Sequence, residues 1–367
     1  MPRPGRLSSA LVDHAARRKR LASRLPELGA DAFLITRLPN VRYLTGFTGS
    51  NGQVVLTADG GVFLTDGRYE QQSRREVPDL RRVTYRAEFV PRFAEACREL
   101  GAGRVAFESA GVTHRTYTQL VETGIGLIPT GEEVERLRRI KDPEERAALQ
   151  AAQAIADQAF DRITGKLCEG VAEREVALEL DVTMRGLGSE GVSFDTIVAF
   201  GESAAEPHHR PTDRPLSRGD VVKMDFGCVV NGYHSDMTRT VAFGEPDGRL
   251  REIYDVVRRA QQAGVDAVRP GVPCNDVDAA TRDPIKEAGY GDQYGHGAGH
   301  GVGLEIHEAP WLRPGGDDSL PEGTVVTVEP GIYLEGRAGI RIEDNVVVTD
   351  DGIQNFTGFR KDLITVG

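Results

Sequence analysis

Cysteine is scarce in this chain of 367 residues: there are four, Cys97, Cys168, Cys228 and Cys274, and no C-x-x-C pair. Thiols this far apart argue against a disulfide framework and a structural zinc knuckle, and they fit a reduced, cytoplasmic protein. Long apolar runs are also lacking, since no segment approaches the ~18 residues that a membrane-spanning helix needs. The N-terminal stretch MPRPGRLSSALVDHAARRKR has basic residues with no apolar segment behind them, so it is not read as a secretory leader. Positive charge is in deficit as well. A formal net charge of −11 disfavours a protein that binds by neutralising nucleic-acid phosphates. Against that background the basic run RLRRIK (136–141) is read as a solvated helix face.

What is present is ordinary for a globular protein, 39% hydrophobic and 28% charged, with length enough for two domains. The first third alternates helical and extended signals. LASRLPELGA reads as a helix closing on Gly29 and DAFLIT (31–36) as a buried strand. QVVLTADGGVFLT (53–65) reads as a hairpin turning on Asp59-Gly60-Gly61, RFAEACREL (92–100) as a helix and GRVAFES (103–109) as a strand. We expect an α/β domain over residues 1–131 and a second domain over 132–367. Asp142, Pro143 and Glu145 form a helix start with a capping box. Behind them Leu149, Ala152, Ile155, Ala159 and Ile163 recur at helical spacing. The second domain then reads as two helices followed by a strand-rich region, twice over.

Chemistry enters with VVKMDFGCVVNGYHSDMTRTVAF. Asn231-Gly232 is the preferred type I′ turn, so the segment is a hairpin in which Val230 faces Tyr233 and Gly227 faces Asp236. Asp225 then lies on the same face as Asp236 and diagonal to it, at the ~7–8 Å that suits two carboxylates flanking a metal ion. His234 shares that face as a rival ligand near the turn. A solvated pair of aspartates is the competing reading. In TVVTVEPGIYL (324–334) a β-branched strand delivers Glu329 before Pro330-Gly331 bends the chain. GIRIEDNVVV (339–348) reads as one central strand with Arg341 and Glu343 on one face and Ile340 and Ile342 on the other.

The stretch GHGAGHGVGLEIHE (295–308) never meets the spacing G-x-G-x-x-G, and the chain has no P-loop and no H-E-x-x-H. Two readings stay open for it: a flexible loop without ligands, or a bending backbone that sets His296, His300 and His307 apart in space. Six of the eight histidines lie between residues 208 and 307. With the aspartates and glutamates they make a hard, oxygen-rich donor set that favours Mn²⁺ or a similar ion over thiolate-seeking metals.

Taken together, these motifs resemble the pita-bread metallopeptidases, the family of methionine aminopeptidase, aminopeptidase P and prolidase. The matching residues are Pro207-His208-His209, Asp225, GYHSDMTRT with Asp236, GHGVGLEIHEAP with His300 and His307, VEPGIY with Glu329, and GIRIED with Arg341 and Glu343. NVRYLTGFTGSNG (40–52) and TDGRYEQQ (65–72) resemble the creatinase-like domain that precedes the catalytic domain in prolidase and aminopeptidase P. The resemblance implies an α/β (α+β) chain whose pita-bread domain has two pseudo-twofold halves. It implies that Asp225, Asp236, His300, Glu329 and Glu343 bind two metal ions, Mn²⁺ first and Co²⁺ or Zn²⁺ as alternatives, with Asp236 and Glu343 touching both. His208 and His307 match catalytic histidines, Arg341 an active-site arginine, and His296 a position lining the substrate pocket. Glu329 is also expected to relay a proton.

All five ligand positions are filled, unlike creatinase, and the extra N-terminal domain is unlike the usual methionine aminopeptidase. The implied activity is hydrolysis of Xaa-Pro bonds by a homodimer that engages neither nucleic acid nor membrane. A dipeptidase is expected first, an aminopeptidase P acting on longer peptides second, and a non-catalytic peptide-binding relative last. A dipeptidase must read the free carboxylate of proline, and the candidate arginines are Arg210, Arg37 and Arg42.

Overall fold

The structure is a computed structural model that describes residues 12–367, so the first eleven residues of the basic N-terminal stretch lie outside it. The chain forms two compact units that meet between Arg138 and Arg139. Sequence reading set that boundary at 131, and the helix Glu133–Arg138 explains the difference. Its Glu133 pairs with Arg24 at 3.2 Å, its Glu135 accepts from Asn40 at 2.7 Å, and its Arg138 donates to Asn40 at 2.6 Å. The helix is therefore tied into the N-terminal unit. RLRRIK is also not the solvated face expected: Arg138 and Lys141 are each 2% exposed, and Lys141 pairs with Glu308 at 3.3 Å.

The N-terminal unit is built on a six-stranded mixed sheet. In spatial order its strands are Arg81–Tyr85, Gly60–Asp66, Gln53–Thr57, Ala32–Ile35, Arg104–Glu108 and Gly126–Thr130. Ala32–Ile35 is buried along its whole length, as an unbroken apolar run in a central strand should be. Leu34, Val55, Leu64, Phe93, Cys97 and Val105 share its core. The hairpin pairs Thr57 with Gly60, so it turns on Ala58-Asp59 rather than on the glycines. Gly60 and Gly61 instead open the second strand.

The C-terminal unit repeats helix, helix and sheet twice, as expected. Helix Pro143–Thr164 starts with the predicted capping box: the Glu145 N–H donates to the Asp142 carboxylate at 2.9 Å, and the Asp142 N–H donates to Glu145 at 3.0 Å. One face buries Leu149, Ala152, Ala156, Ala159, Phe160 and Ile163. The alanines let the strands come close, so that the Cys228 thiol donates to the Ala152 carbonyl at 3.3 Å. After helix Glu173–Gly186, a four-stranded sheet runs in the order Thr365–Val366, Met237–Phe243, Val221–Phe226, Ile197–Phe200. Helices Gly248–Ala267 and Cys274–Glu287 precede a five-stranded sheet ordered Glu308–Leu312, Gly299–Gly301, Val325–Val328, Asp344–Thr349, Gly352–Asn355. GIRIEDNVVV is two strands rather than one. Ala338–Arg341 pairs with Gly331–Leu334 in a separate ribbon, and Asp344–Thr349 joins the large sheet. The break at Ile342-Glu343 lets one segment serve two sheets. No helix among the described residues is long and apolar enough to cross a membrane.

The capping box opens the helix that backs the first half of this unit. Asp142→Ala should therefore destabilise the unit by ~1 kcal/mol, read as a lower urea midpoint. An unchanged midpoint would show that the cap contributes nothing there.

Candidate metal centre

The hairpin register follows from its turn. Asn231 and Gly232 sit at φ 50° and 79°, the left-handed pair that a type I′ turn demands. Val230 faces Tyr233, and further down Thr238 faces Asp225 and Met237 faces Phe226. That constant register sets Gly227 across from Asp236 and puts Asp225 diagonal to it. The strands press together here, because a Cβ on Gly227 would lie 1.9 Å from the Ser235 carbonyl oxygen.

The glycine-rich stretch is not a flexible loop. Gly299–Gly301 is a buried strand, and a Cβ on Gly299 would lie 2.0 Å from the Thr327 carbonyl oxygen. Glycine is needed because neighbouring backbones close on the strand. His300 is fixed accordingly: its N–H donates to the Thr327 hydroxyl at 3.0 Å, and its Nδ1 lies 3.0 Å from the Gly301 carbonyl. A carbonyl can only accept, so Nδ1 carries the proton. That leaves the Nε2 lone pair facing Asp236 at 3.6 Å and Glu329 at 3.5 Å.

Ligand atoms of Asp236, His300 and Glu343 all lie within 4.8 Å of one another. Asp225, Glu329, Arg341, His208, His296, His307 and Arg210 line the same cavity, of about 440 Å³. His208, His307 and Arg210 are exposed at its rim. His307 packs edge-on against His300 with ring centroids 4.4 Å apart. His234 does not line the cavity; its N–H donates to the Gly303 carbonyl at 2.9 Å. Arg37 and Arg42 belong to the N-terminal unit, where Arg37 is engaged by Glu135.

Two carboxylate oxygens test whether a cation fits. Glu343 accepts from the Thr238 hydroxyl at 2.7 Å through Oε2, and Asp225 is paired with Arg341 through Oδ2. The other oxygen of each, Oε1 of Glu343 and Oδ1 of Asp225, is buried with no hydrogen-bond partner. Buried carboxylate oxygens without donors are costly, and hard divalent cations are partners such oxygens can take. Arg341 also donates from Nε to Thr238 at 2.9 Å and from Nη1 to Tyr333 at 2.9 Å and the Pro207 carbonyl at 3.3 Å. Burial works against its charge, but Tyr333, Asp225, Glu329 and Glu343 hold it well above the ordinary arginine range. Burial lowers His296 and His300, and burial together with His300 lowers His307, so all three favour the neutral form.

Sequence reasoning missed several residues here. Trp311 lines the cavity and stacks on His307 at 6.3 Å; as the chain's one tryptophan, four residues after that histidine, it was a visible signal. Arg313, Phe194 and Ile197 also line it, with no motif to mark them. Tyr333 and Thr238 act behind the cavity wall, inside motifs that were read only for their charged members.

The known proteins that this chain matches fit the same picture. The model of metallopeptidase family M24 matches residues 147–350, and that of the creatinase/prolidase N-terminal domain matches residues 17–140. The solved Xaa-Pro dipeptidase from Bacillus anthracis is 40% identical with a TM-score of 0.94, over 96% of this chain and 100% of that one. The solved X-Pro aminopeptidase from Thermotoga maritima is 36% identical with a TM-score of 0.87, over 94% of this chain and 100% of that one. The Xaa-Pro dipeptidase of Pyrococcus furiosus is 42% identical over 231 residues, 63% of this chain and 66% of that protein. A creatinase-like α/β domain followed by a pita-bread catalytic domain is thus the architecture here.

Burial, then Glu343, Asp225 and Glu329, push the Asp236 carboxyl well above its ordinary 3.8. Burial, then Glu329 and Asp225, push Glu343 well above 4.5. Without a cation the folded state therefore holds these protons more tightly than the unfolded chain does. The pair's contribution to stability is full below about pH 4 and is lost as pH rises through the raised folded values. In chelator at about pH 7.5, Asp236→Asn should unfold at a higher temperature than wild type, with the gap closing on acidification. Added Mn²⁺ should raise the wild-type Tm far more than the variant's. Equal melting of the two chelated proteins at that pH would contradict the crowding.

Proposed function

The chain belongs to metallopeptidase family M24, and from that premise we propose that it is an Xaa-Pro dipeptidase working with two divalent ions. Asp225, Asp236, His300, Glu329 and Glu343 would hold them, Asp236 and Glu343 reaching both. The observation that carries this reading is the pair of donorless oxygens on Asp225 and Glu343 beside the Asp236–His300–Glu343 cluster. Four carboxylates and one imidazole favour Mn²⁺, with Co²⁺ and Zn²⁺ as alternatives.

When bound, such ions make water nucleophilic near neutral pH. Glu329 accepts a proton from the attacking water and returns it to the leaving nitrogen, which must be protonated because an amide anion is a very poor leaving group. His208 and His307, at the rim, donate to the oxygen that gains charge on the scissile carbonyl. Arg341 orients the Asp225 carboxylate by pairing with it. His296 forms a wall of the pocket. An Xaa-Pro nitrogen has no N–H, so the pocket owes it no acceptor, and Phe194, Ile197 and Trp311 offer the pyrrolidine ring an apolar surface. Arg210 is the candidate for pairing with the free carboxylate of a dipeptide, and Arg313 on the same cavity is its rival. Arg37 and Arg42 are the weaker candidates.

The solved relatives include both a dipeptidase and an aminopeptidase, and substrate length separates them. Chelator-stripped protein resupplied with Mn²⁺ should cleave Ala-Pro and leave Ala-Pro-Ala; preference for the tripeptide would make the chain an aminopeptidase P. Cleavage of neither under any metal would favour a binding protein. Asp236→Asn should abolish the metal-dependent activity with the fold intact, and full activity in that variant would sink the ligand assignment. Alanine at Arg210 and at Arg313 identifies the carboxylate reader as the one whose loss raises KM for Ala-Pro by ~10-fold or more.

We further place the protein in the cytoplasm as a homodimer. The buried, free thiols of Cys97, Cys228 and Cys274 support a reducing compartment. The dimer rests on the family resemblance, and light scattering of the purified chain tests it.

A further inference from the structure

Lys223 stands two residues before Asp225 on the strand Val221–Phe226, and alternation points both side chains to the same face of the sheet. Its side chain is 0% exposed. Burying a lysine amine is expensive, and an apolar residue in its place would carry no such cost. Its hydrogen bonds go to backbone alone. Nζ donates to the carbonyls of Ala204 at 2.9 Å, Glu206 at 2.5 Å and Pro207 at 3.5 Å, and it lies 5.2 Å from the centre of the Tyr333 ring. The three acceptors all lie in the four-residue segment 204–207 that leads into His208.

That segment is fixed from other sides too. Arg341 donates to the same Pro207 carbonyl at 3.3 Å. Gly339 packs so tightly under Ala204 that a Cβ on it would lie 1.8 Å from the Ala204 carbonyl oxygen. Just downstream, the buried His209 is held by Glu173 at 2.8 Å. His208 itself is exposed at the cavity rim. Its position is therefore set by its backbone, and Lys223 supplies three of the bonds that hold that backbone.

We infer that Lys223 is a positioning residue for peptide hydrolysis: through the carbonyls of Ala204, Glu206 and Pro207 it fixes the segment from which His208 reaches the scissile bond. The inference rests on the reading that His208 acts in Xaa-Pro hydrolysis. It gives the polar interior of the first-half sheet a task, since Lys223 and Arg341 together tie the His208 segment to the Asp225 strand.

The test is a double-mutant cycle on the full-length, Mn²⁺-loaded protein hydrolysing Ala-Pro. Lys223→Met keeps the stem and removes the donors. It should lower kcat by roughly 10- to 100-fold with KM nearly unchanged, the cost of a displaced catalytic group. Metal stoichiometry should match wild type. Lys223→Met/His208→Ala should be little worse than His208→Ala alone, because both changes remove one function. Lys223→Gln, which keeps N–H donors, should recover part of the lost kcat, and it replaces Lys223→Met in the cycle if that variant does not fold. Normal kcat in the lysine variants beside an impaired His208→Ala overturns the positioning role alone. Losses that multiply in the double variant, or lost metal, overturn it as well. A fully active His208→Ala removes the role given to His208 and the inference with it.

Discussion

Everything in the catalytic unit answers to one electrostatic constraint, the burial of several carboxylates around a single cavity. Asp225, Asp236 and Glu343 are each less than a tenth exposed, and Glu329 lines the same space. The Arg341 guanidinium is buried among them, and it engages Asp225 directly. One buried guanidinium among four carboxylates leaves negative charge, a deficit that protons or metal ions can offset. Neutral histidines cannot cover it, and burial keeps His300 neutral. The deficit that would destabilise a metal-free fold is what gives the cavity affinity for a divalent ion.

The geometry of that deficit is set where the two halves of the unit meet. Asp236 comes from the first half's hairpin, His300 from a strand of the second half, and Glu329 and Glu343 from the segments just after its strands Val325–Val328 and Ala338–Arg341. Arg239, fully buried, pairs with Asp344 at 2.7 Å and donates to the Glu343 carbonyl and, at 3.0 Å, to that of Thr238. Asn345 donates to the Asp236 carbonyl at 3.0 Å and to Gln153 at 3.1 Å. The backbones carrying Asp236 and Glu343 are thus stitched one to the other, beside the core that contains Phe160, Met224, Phe226 and Met237. The spacing between the two carboxylates follows from these bonds.

Much of this was legible in the residue order because it depends on local rules. A type I′ turn at Asn231-Gly232 fixes every pairing below it, so the Asp225–Asp236 diagonal could be counted from the turn. The capping box at Asp142 and Glu145 is equally local. What failed was anything decided by a distant neighbour. GIRIEDNVVV alternates like one strand, yet its two ends pair with different strands, and only tertiary contact breaks it at Ile342-Glu343. Arg138 and Lys141 look like solvated cations until Asn40 and Glu308 arrive from far along the chain. The glycines around His300 signal flexibility in isolation. The Thr327 carbonyl against Gly299 turns that signal into close packing.

At His296, polarity decides which ring atoms are free. Its Nδ1 lies 2.8 Å from the Gly297 carbonyl, which can only accept, so Nδ1 carries the proton. Its Nε2, 2.9 Å from the Tyr333 hydroxyl, must then accept, and the hydroxyl proton points to the ring. The Tyr333 oxygen is left to accept from Arg341 at 2.9 Å. The chain of bonds runs one way, from the guanidinium through the phenol and imidazole to the backbone. Burial pushes the Tyr333 phenol up to about 12 and His296 down, so neither group changes charge near neutral pH. His296 therefore has no free donor to offer a substrate, and what it presents to the cavity is the face of a neutral ring. That suits a wall beside a tertiary amide and does not suit a group that donates to a developing oxyanion. On the proposed reading, the donors to that oxyanion are His208 and His307 at the rim.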